Sequence, residues 1–104
     1  MACVLEVTDS SFEEVLHSND IVFAYFYGDN CQNCIQATPL FEEASEENEK
    51  AVFIKTNLVE APNAFKTNIV LSVPTIILFK DGREQKRITG KLTIKDILTI
   101  TRET

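Results

Sequence analysis

The sequence predicts an α/β protein with a central mixed β-sheet of about five strands flanked by about four helices, all in one domain spanning residues 1–104. Three observations point there. Apolar extended runs alternate with segments of helical spacing, which requires parallel pairing through right-handed crossovers. Ile21–Tyr27 is apolar at every position, as expected of a central strand covered on both faces. An Asp81-Gly82 pair between two late extended runs predicts a hairpin, and hence an antiparallel finish to the sheet. A chain of 104 residues can bury one core without a metal or disulfide staple.

The elements follow in order. Ala2–Val7 alternates loosely and reads as a short strand. Ser10 with Glu13, and Ser11 with Glu14, have capping-box spacing ahead of Phe12, Val15 and Leu16, the apolar stripe of a first helix ended by Ser18-Asn19-Asp20. His17, near that helix end, reads as a surface histidine facing the negative end of the dipole rather than a metal ligand. After the Ile21–Tyr27 strand comes a helix whose inner face is Ala37, Leu40, Phe41 and Ala44, and whose solvated face is Glu42, Glu43, Glu46 and Glu47. Pro39 inside it removes a backbone donor and predicts a kink. Ala51–Asn57 is the next strand. Pro62, at a first-turn position, opens a short helix through about Asn68 that buries Ala64 and Phe65. Val73–Phe79 is a strand with Pro74 at its start, and Glu84–Thr89 is a polar edge strand that Gly90 ends. Leu92, Thr93, Asp96 and Ile97 have the spacing of staple, N-cap, N3 and staple partner of a last helix with Ile94, Ile97, Leu98 and Thr101 facing inward.

Composition narrows the function. Apolar residues make up 44% and charged residues 25% of the chain, an ordinary balance for a globular protein. Sixteen acids against ten bases leave a formal charge of −6, which argues against nucleic acid or an anionic membrane as the main partner. No apolar run nears the roughly 18 residues of a membrane span. Met1–Val7 lacks the basic and apolar regions of a signal peptide, so a cytoplasmic location is expected. Three cysteines do not suit a secreted disulfide framework. Cys3 reads as a small buried residue of the first strand.

Cys31 and Cys34, separated by Gln32 and Asn33, stand where the apolar strand turns into a helix. A thiol at a helix N-terminus meets unpaired N–H groups and the positive end of the macrodipole, which favour thiolate. Cys34, one turn further in, is near enough to close a small disulfide ring with Cys31. The pair has the minimum equipment for dithiol–disulfide exchange.

Over nearly its whole length the chain resembles the thioredoxins. The resemblance rests on Thr8-Asp9-Ser10-Ser11-Phe12, the apolar strand into Cys31-Gln32-Asn33-Cys34, Pro39, Lys55-Thr56-Asn57, Val73-Pro74-Thr75, Leu78-Phe79-Lys80-Asp81-Gly82 and Gly90. It implies a thioredoxin fold and a protein thiol–disulfide oxidoreductase, with Cys31 the exposed nucleophile and Cys34 the resolving thiol. It also implies a cis bond at Val73–Pro74, opposite the cysteines. The backbone of Val73 would pair with a substrate strand, with Pro74, Gly90, Asn30, Gln32 and Asn33 around it. No cofactor beyond the redox-active disulfide is implied. Three separated glycines and no GxGxxG leave electrons to come from a separate reductase of the thioredoxin-reductase kind. The expected partners are proteins bearing disulfides, met by a monomer.

Two departures stand out. Asn30-Cys31-Gln32-Asn33-Cys34 replaces the usual Trp-Cys-Gly-Pro-Cys, and with no histidine beside Cys34 a reducing enzyme is expected. Tyr25 stands where the family keeps a buried aspartate that takes the resolving thiol's proton, while that aspartate's companion, Lys55, remains. A phenol of pKa near 10 cannot be that base at neutral pH, so slow release of the mixed disulfide is expected. Tyr25 is left to bond Lys55 or a water, or to fill the core with Tyr27.

Two other classes compete. The fold and groove could serve as a binding module without useful turnover. The cysteines could carry a metal or an iron–sulfur cluster, but zinc needs about four ligands, Cys3 and His17 lie at the wrong spacing, and Pro74 stands in the way. No metal ligands are assigned.

Overall fold

A computed structural model describes residues 4–102. Its elements run β1 (Val4–Val7), α1 (Phe12–Ser18), β2 (Ile21–Tyr27), α2 (Gln32–Glu47), β3 (Val52–Asn57), α3 (Pro62–Thr67), β4 (Thr75–Lys80), β5 (Arg83–Thr89) and α4 (Ile94–Thr101). The strands form one sheet in the order β1-β3-β2-β4-β5. β1, β3 and β2 are parallel, and β4 and β5 are antiparallel to their neighbours. The expected α/β architecture of five strands and four helices is thus observed. Cys3 lies outside the described residues.

The alternation of β2 builds a core on each side of the sheet. Val22, Ala24 and Phe26 pack with Phe12, Leu16, Ala64 and Phe65, under α1 and α3. Phe23 and Tyr25 pack on the other side with Ala37, Phe41 and Ile97, under α2 and α4. Placing both cores against one strand leaves all five of its central residues buried.

Several local expectations change. The capping box before α1 does not form. Ser11 is the N-cap, but its backbone is already helical (φ −115°, ψ −14°), so its hydroxyl turns back to accept from the Thr8 N–H at 3.0 Å. β3 starts at Val52 and β4 at Thr75, because Pro74 has no N–H to give the ladder. α2 is helical on both sides of Pro39, where the kink is expected. Glu42 is not simply solvated, since it lies 3.6 Å from Lys55. Ile94 is 41% exposed while Ile100 is buried. Ile94 and Thr101 lie at nearly the same helix angle, yet Thr101 is buried at the far end of α4, beside the end of α2, where Asn48 Nδ2 donates to Thr101 O at 3.0 Å. The capping box of Thr93 and Asp96 forms as expected.

Two turns shape the ends of the sheet. Asp81 (φ 53°) and Gly82 (φ 79°) make the hairpin turn, and a Cβ on Gly82 would also sit 2.9 Å from His17 Nδ1. α3 ends in a Schellman turn, with Val70 N–H donating to Phe65 O (2.9 Å) and Ile69 N–H to Lys66 O (3.2 Å). Its left-handed residue is Ile69 (φ 52°), where a glycine is usual, at a cost of about 1–2 kcal/mol.

Candidate active site

β2 delivers its C-terminal end to the start of α2 through Gly28–Asn30, with Asn30 at φ 56°. Cys31 is the N-cap of α2, and its Sγ accepts from the backbone N–H of Cys34 at 3.1 Å. The first turn of α2 carries no acidic residue. The helix end therefore presents its positive pole and an N–H directly to Cys31 sulfur, the arrangement that stabilises a thiolate when the pair is reduced. Cys31 and Cys34 are joined as a disulfide, with Cα atoms 5.1 Å apart. Cys34 is 3% exposed, whereas Cys31 is half-buried and flanked by exposed Asn30, Gln32 and Asn33.

β4 begins beside this turn. Phe26 pairs with Thr75 in antiparallel register, so Val73 and Pro74 lie where β2 departs toward Cys31. Val73 Cγ2 comes within 3.7 Å of where a Cβ on Gly28 would be. The Val73–Pro74 bond is cis. Pro74 is buried, and its carbonyl accepts from Gly90 N–H at 3.1 Å. A Cβ on Gly90 would meet nothing within 4 Å, so this residue borders open space. Val73 also lines an apolar groove of about 330 Å³ with Leu58, Phe65, Val70, Leu71 and Ser72.

Beneath the cysteines Tyr25 is fully buried and stacked between Phe41 and Tyr27, at ring distances of 5.1 and 5.5 Å. Its hydroxyl donates to the carbonyl of Cys34 at 3.0 Å and lies 2.9 Å from Thr38 Oγ1. Thr38 Oγ1 in turn reaches Cys34 O at 2.8 Å. Two hydroxyl protons thus serve three contacts around one carbonyl. Burial pushes the Tyr25 phenol above its ordinary pKa, with a contribution from Glu42, against the hydrogen bond to Thr38. These partners stand in place of the Lys55 bond considered from the sequence. Lys55, opposite Tyr25 on β3, turns its ammonium to Glu42 and to Glu6, at 3.6 and 3.9 Å. Thr38, Glu42 and Glu6 were not among the site residues expected from the sequence, where Glu42 reads only as part of a solvated face. Only Thr38 left a local signal there, as a threonine four residues after Cys34 whose hydroxyl can bond that carbonyl.

Tyr27, which shares the Tyr25 face, donates to both carboxylate oxygens of Glu6, at 2.8 and 3.0 Å. Burial first, then that hydrogen bond, pushes its phenol up to about 12. Among the described residues no group of three or more His, Cys, Asp or Glu is placed to hold a metal, and no helix is long and apolar enough to cross a membrane.

Known proteins place this geometry. The family model described as Thioredoxin matches residues 3–103. A thioredoxin of Rickettsia felis is 44% identical over 86 residues, covering 81% of this chain and 82% of that protein. A bifunctional thioredoxin reductase/thioredoxin of Mycobacterium leprae is 39% identical over 88 residues, which is 83% of this chain and 19% of that longer protein. Among solved structures, a point-mutant thioredoxin of Halobacterium salinarum superposes with a TM-score of 0.85 at 27% identity, covering 94% of this chain and 87% of that one. The chain belongs to the thioredoxin family, and with its Cys31–Cys34 disulfide at the head of α2 it is a thiol–disulfide oxidoreductase.

Proposed function

We propose that the protein reduces disulfides of other proteins, with Cys31 as nucleophile and Cys34 as resolving thiol. The observation that carries this reading is the unequal exposure of two bonded sulfurs at a helix N-terminus. In the reduced protein the Cys31 thiolate attacks one sulfur of the substrate disulfide. A mixed disulfide forms and the first substrate thiolate leaves. Cys34 then loses its proton and attacks Cys31 Sγ, which closes the Cys31–Cys34 bond and releases the second substrate thiolate. Two electrons pass to the substrate, and a separate reductase restores the dithiol. The Mycobacterium leprae relative, whose name joins a thioredoxin reductase to a thioredoxin, supports that kind of donor.

The substrate segment lies extended along Val73, taking main-chain hydrogen bonds there, with Pro74, Gly90, Asn30, Gln32 and Asn33 around the exchanging sulfurs. The apolar groove beside Val73 and the half-exposed Cys31 support this pose. Tyr25 modulates the second step. A buried phenol holds its proton at neutral pH, so Cys34 is deprotonated without a buried carboxylate beneath it, and mixed-disulfide release is slow. Lys55 acts only at a distance, held by its two glutamates.

Cys34→Ser should trap a mixed disulfide at Cys31 with a disulfide-bearing protein, read by mass spectrometry. Attachment at another residue, or no adduct, overturns these roles. A midpoint near about −270 mV in a glutathione titration supports the reducing direction, and one between about −200 and −120 mV reverses it.

A further inference from the structure

β5 is an edge strand, yet its inward side chains are committed. Arg87 and Thr89 lie two residues apart, on one face of the strand. The Arg87 guanidinium grips Glu84 with two bonds of 2.6 Å. This fixes the plane of the fork. The rest of the fork donates to Asn68 O at 2.7 Å and Ile69 O at 3.1 Å. These are the last carbonyls of the α3 Schellman turn. Thr89 continues the tether, 2.8 Å from Ser72 Oγ and 2.7 Å from Thr75 Oγ1, and Gly90 N–H holds Pro74 O. The connection from α3 to β4 is therefore fastened to β5 from its first residue to its last.

The fastening at Arg87 has a specific task. Ile69 sits at φ 52°, which a β-branched side chain disfavours. Its own side chain gives little packing there, for Ile69 is 67% and Leu71 90% exposed, and only Val70 between them packs in the core with Phe65. Besides the helix's own capping bonds and the packing of Val70 on Phe65, the turn is held by the pair of charge-assisted bonds from Arg87.

We infer that Arg87, oriented by Glu84, is a positioning residue for substrate binding: it holds Ile69 in the left-handed turn and so sets the course of Leu71–Val73 into Pro74. The inference rests on the reading that Val73 presents the backbone to which the substrate pairs. Loss of Arg87 lowers the fraction of molecules with that segment in its binding form, and apparent affinity falls by the same fraction. The exchange chemistry at Cys31 and Cys34, built on β2 and α2, is untouched.

The test is steady-state reduction of insulin disulfides with dithiothreitol as electron donor, beside single-turnover reaction with a small aromatic disulfide that needs no peptide groove. Arg87→Ala should raise the insulin KM about tenfold or more, the effect of one lost charge-assisted bond, and leave kcat and the small-disulfide rate within about twofold. Ile69→Gly added to Arg87→Ala should bring the KM back to within about twofold of the parent, because glycine takes a positive φ freely. An unchanged KM, a matching fall in kcat and small-disulfide rate, or failure of Ile69→Gly to rescue overturns the inference. Should Arg87→Ala not fold, Glu84→Gln loosens the same fork and must raise the KM in the same direction, an unchanged value again counting against it. A parent protein that does not reduce insulin refutes the functional reading itself, whatever Arg87 does.

Discussion

Tyr25→Phe separates the structural role of the phenol from any chemical one. The change removes one oxygen from a fully buried ring and leaves its stacking on Phe41 and Tyr27 in place. Two contacts vanish, to Cys34 O at 3.0 Å and to Thr38 Oγ1 at 2.9 Å. Thr38 can still donate to Cys34 O at 2.8 Å, so no buried carbonyl is orphaned. The loss is then that of one net hydrogen bond, about 1 kcal/mol, rather than the larger cost of an unsatisfied buried group. For a domain of this size that lowers Tm by roughly 4–8 °C. Urea unfolding of the oxidised protein gives the stability, and stopped-flow release from a preformed Cys31 mixed disulfide gives the chemistry. Release should be unchanged within about twofold, since a phenol that keeps its proton contributes no base. Tenfold slower release in Tyr25→Phe refutes this reasoning, because it would mean the hydroxyl moves a proton after all. Tyr25→Asp completes the comparison: it supplies a buried carboxylate opposite Lys55 and should speed release, though at a packing cost of about 3–5 kcal/mol.

Two further outcomes follow from the same geometry. Both tyrosines are raised, Tyr27 to about 12, so the folded protein should show little phenolate absorbance as pH passes 10. A folded pKa above the unfolded value near 10 means that the stability from neutral Tyr27 is complete below pH 10 and is lost as pH rises toward 12. A tyrosine titrating normally near 10 in the folded state contradicts this, and Glu6→Gln should bring Tyr27 part of the way back. Thr93→Ala removes the N-cap hydroxyl that accepts from Asp96 N–H at 3.2 Å. It should cost about 1 kcal/mol in chemical unfolding, and no loss would show that α4 is held by packing alone.

Where pattern and structure agree, the information is local. Seven consecutive apolar residues specify β2 as a doubly covered strand, and its limits are those observed. The cap of α4 is contained in Thr93–Asp96, and the disulfide ring in Cys31–Cys34, each within one helical turn. Such features depend on spacings of three or four residues, which the chain carries wherever it lies. The conformation of Ser11 was not legible in that way, since its backbone dihedrals decided whether the expected box could close.

Residue pattern alone carries the order of elements, the alternation that sends Phe23 and Tyr25 to one core and Phe26 to the other, and the cysteine pair at a strand-to-helix junction. The partners of the long polar side chains come from the packing of the elements. Asp9, just ahead of α1 in the chain, receives the N–H groups of Asn63 and Ala64 at 3.1 Å and caps α3, whose own N-cap is an alanine. Lys55 finds Glu42 and Glu6, and Arg87 finds the end of α3. Each of these bonds joins residues a dozen to more than fifty positions apart. Long polar side chains can reach many partners, and only the placement of the strands and helices selects among them.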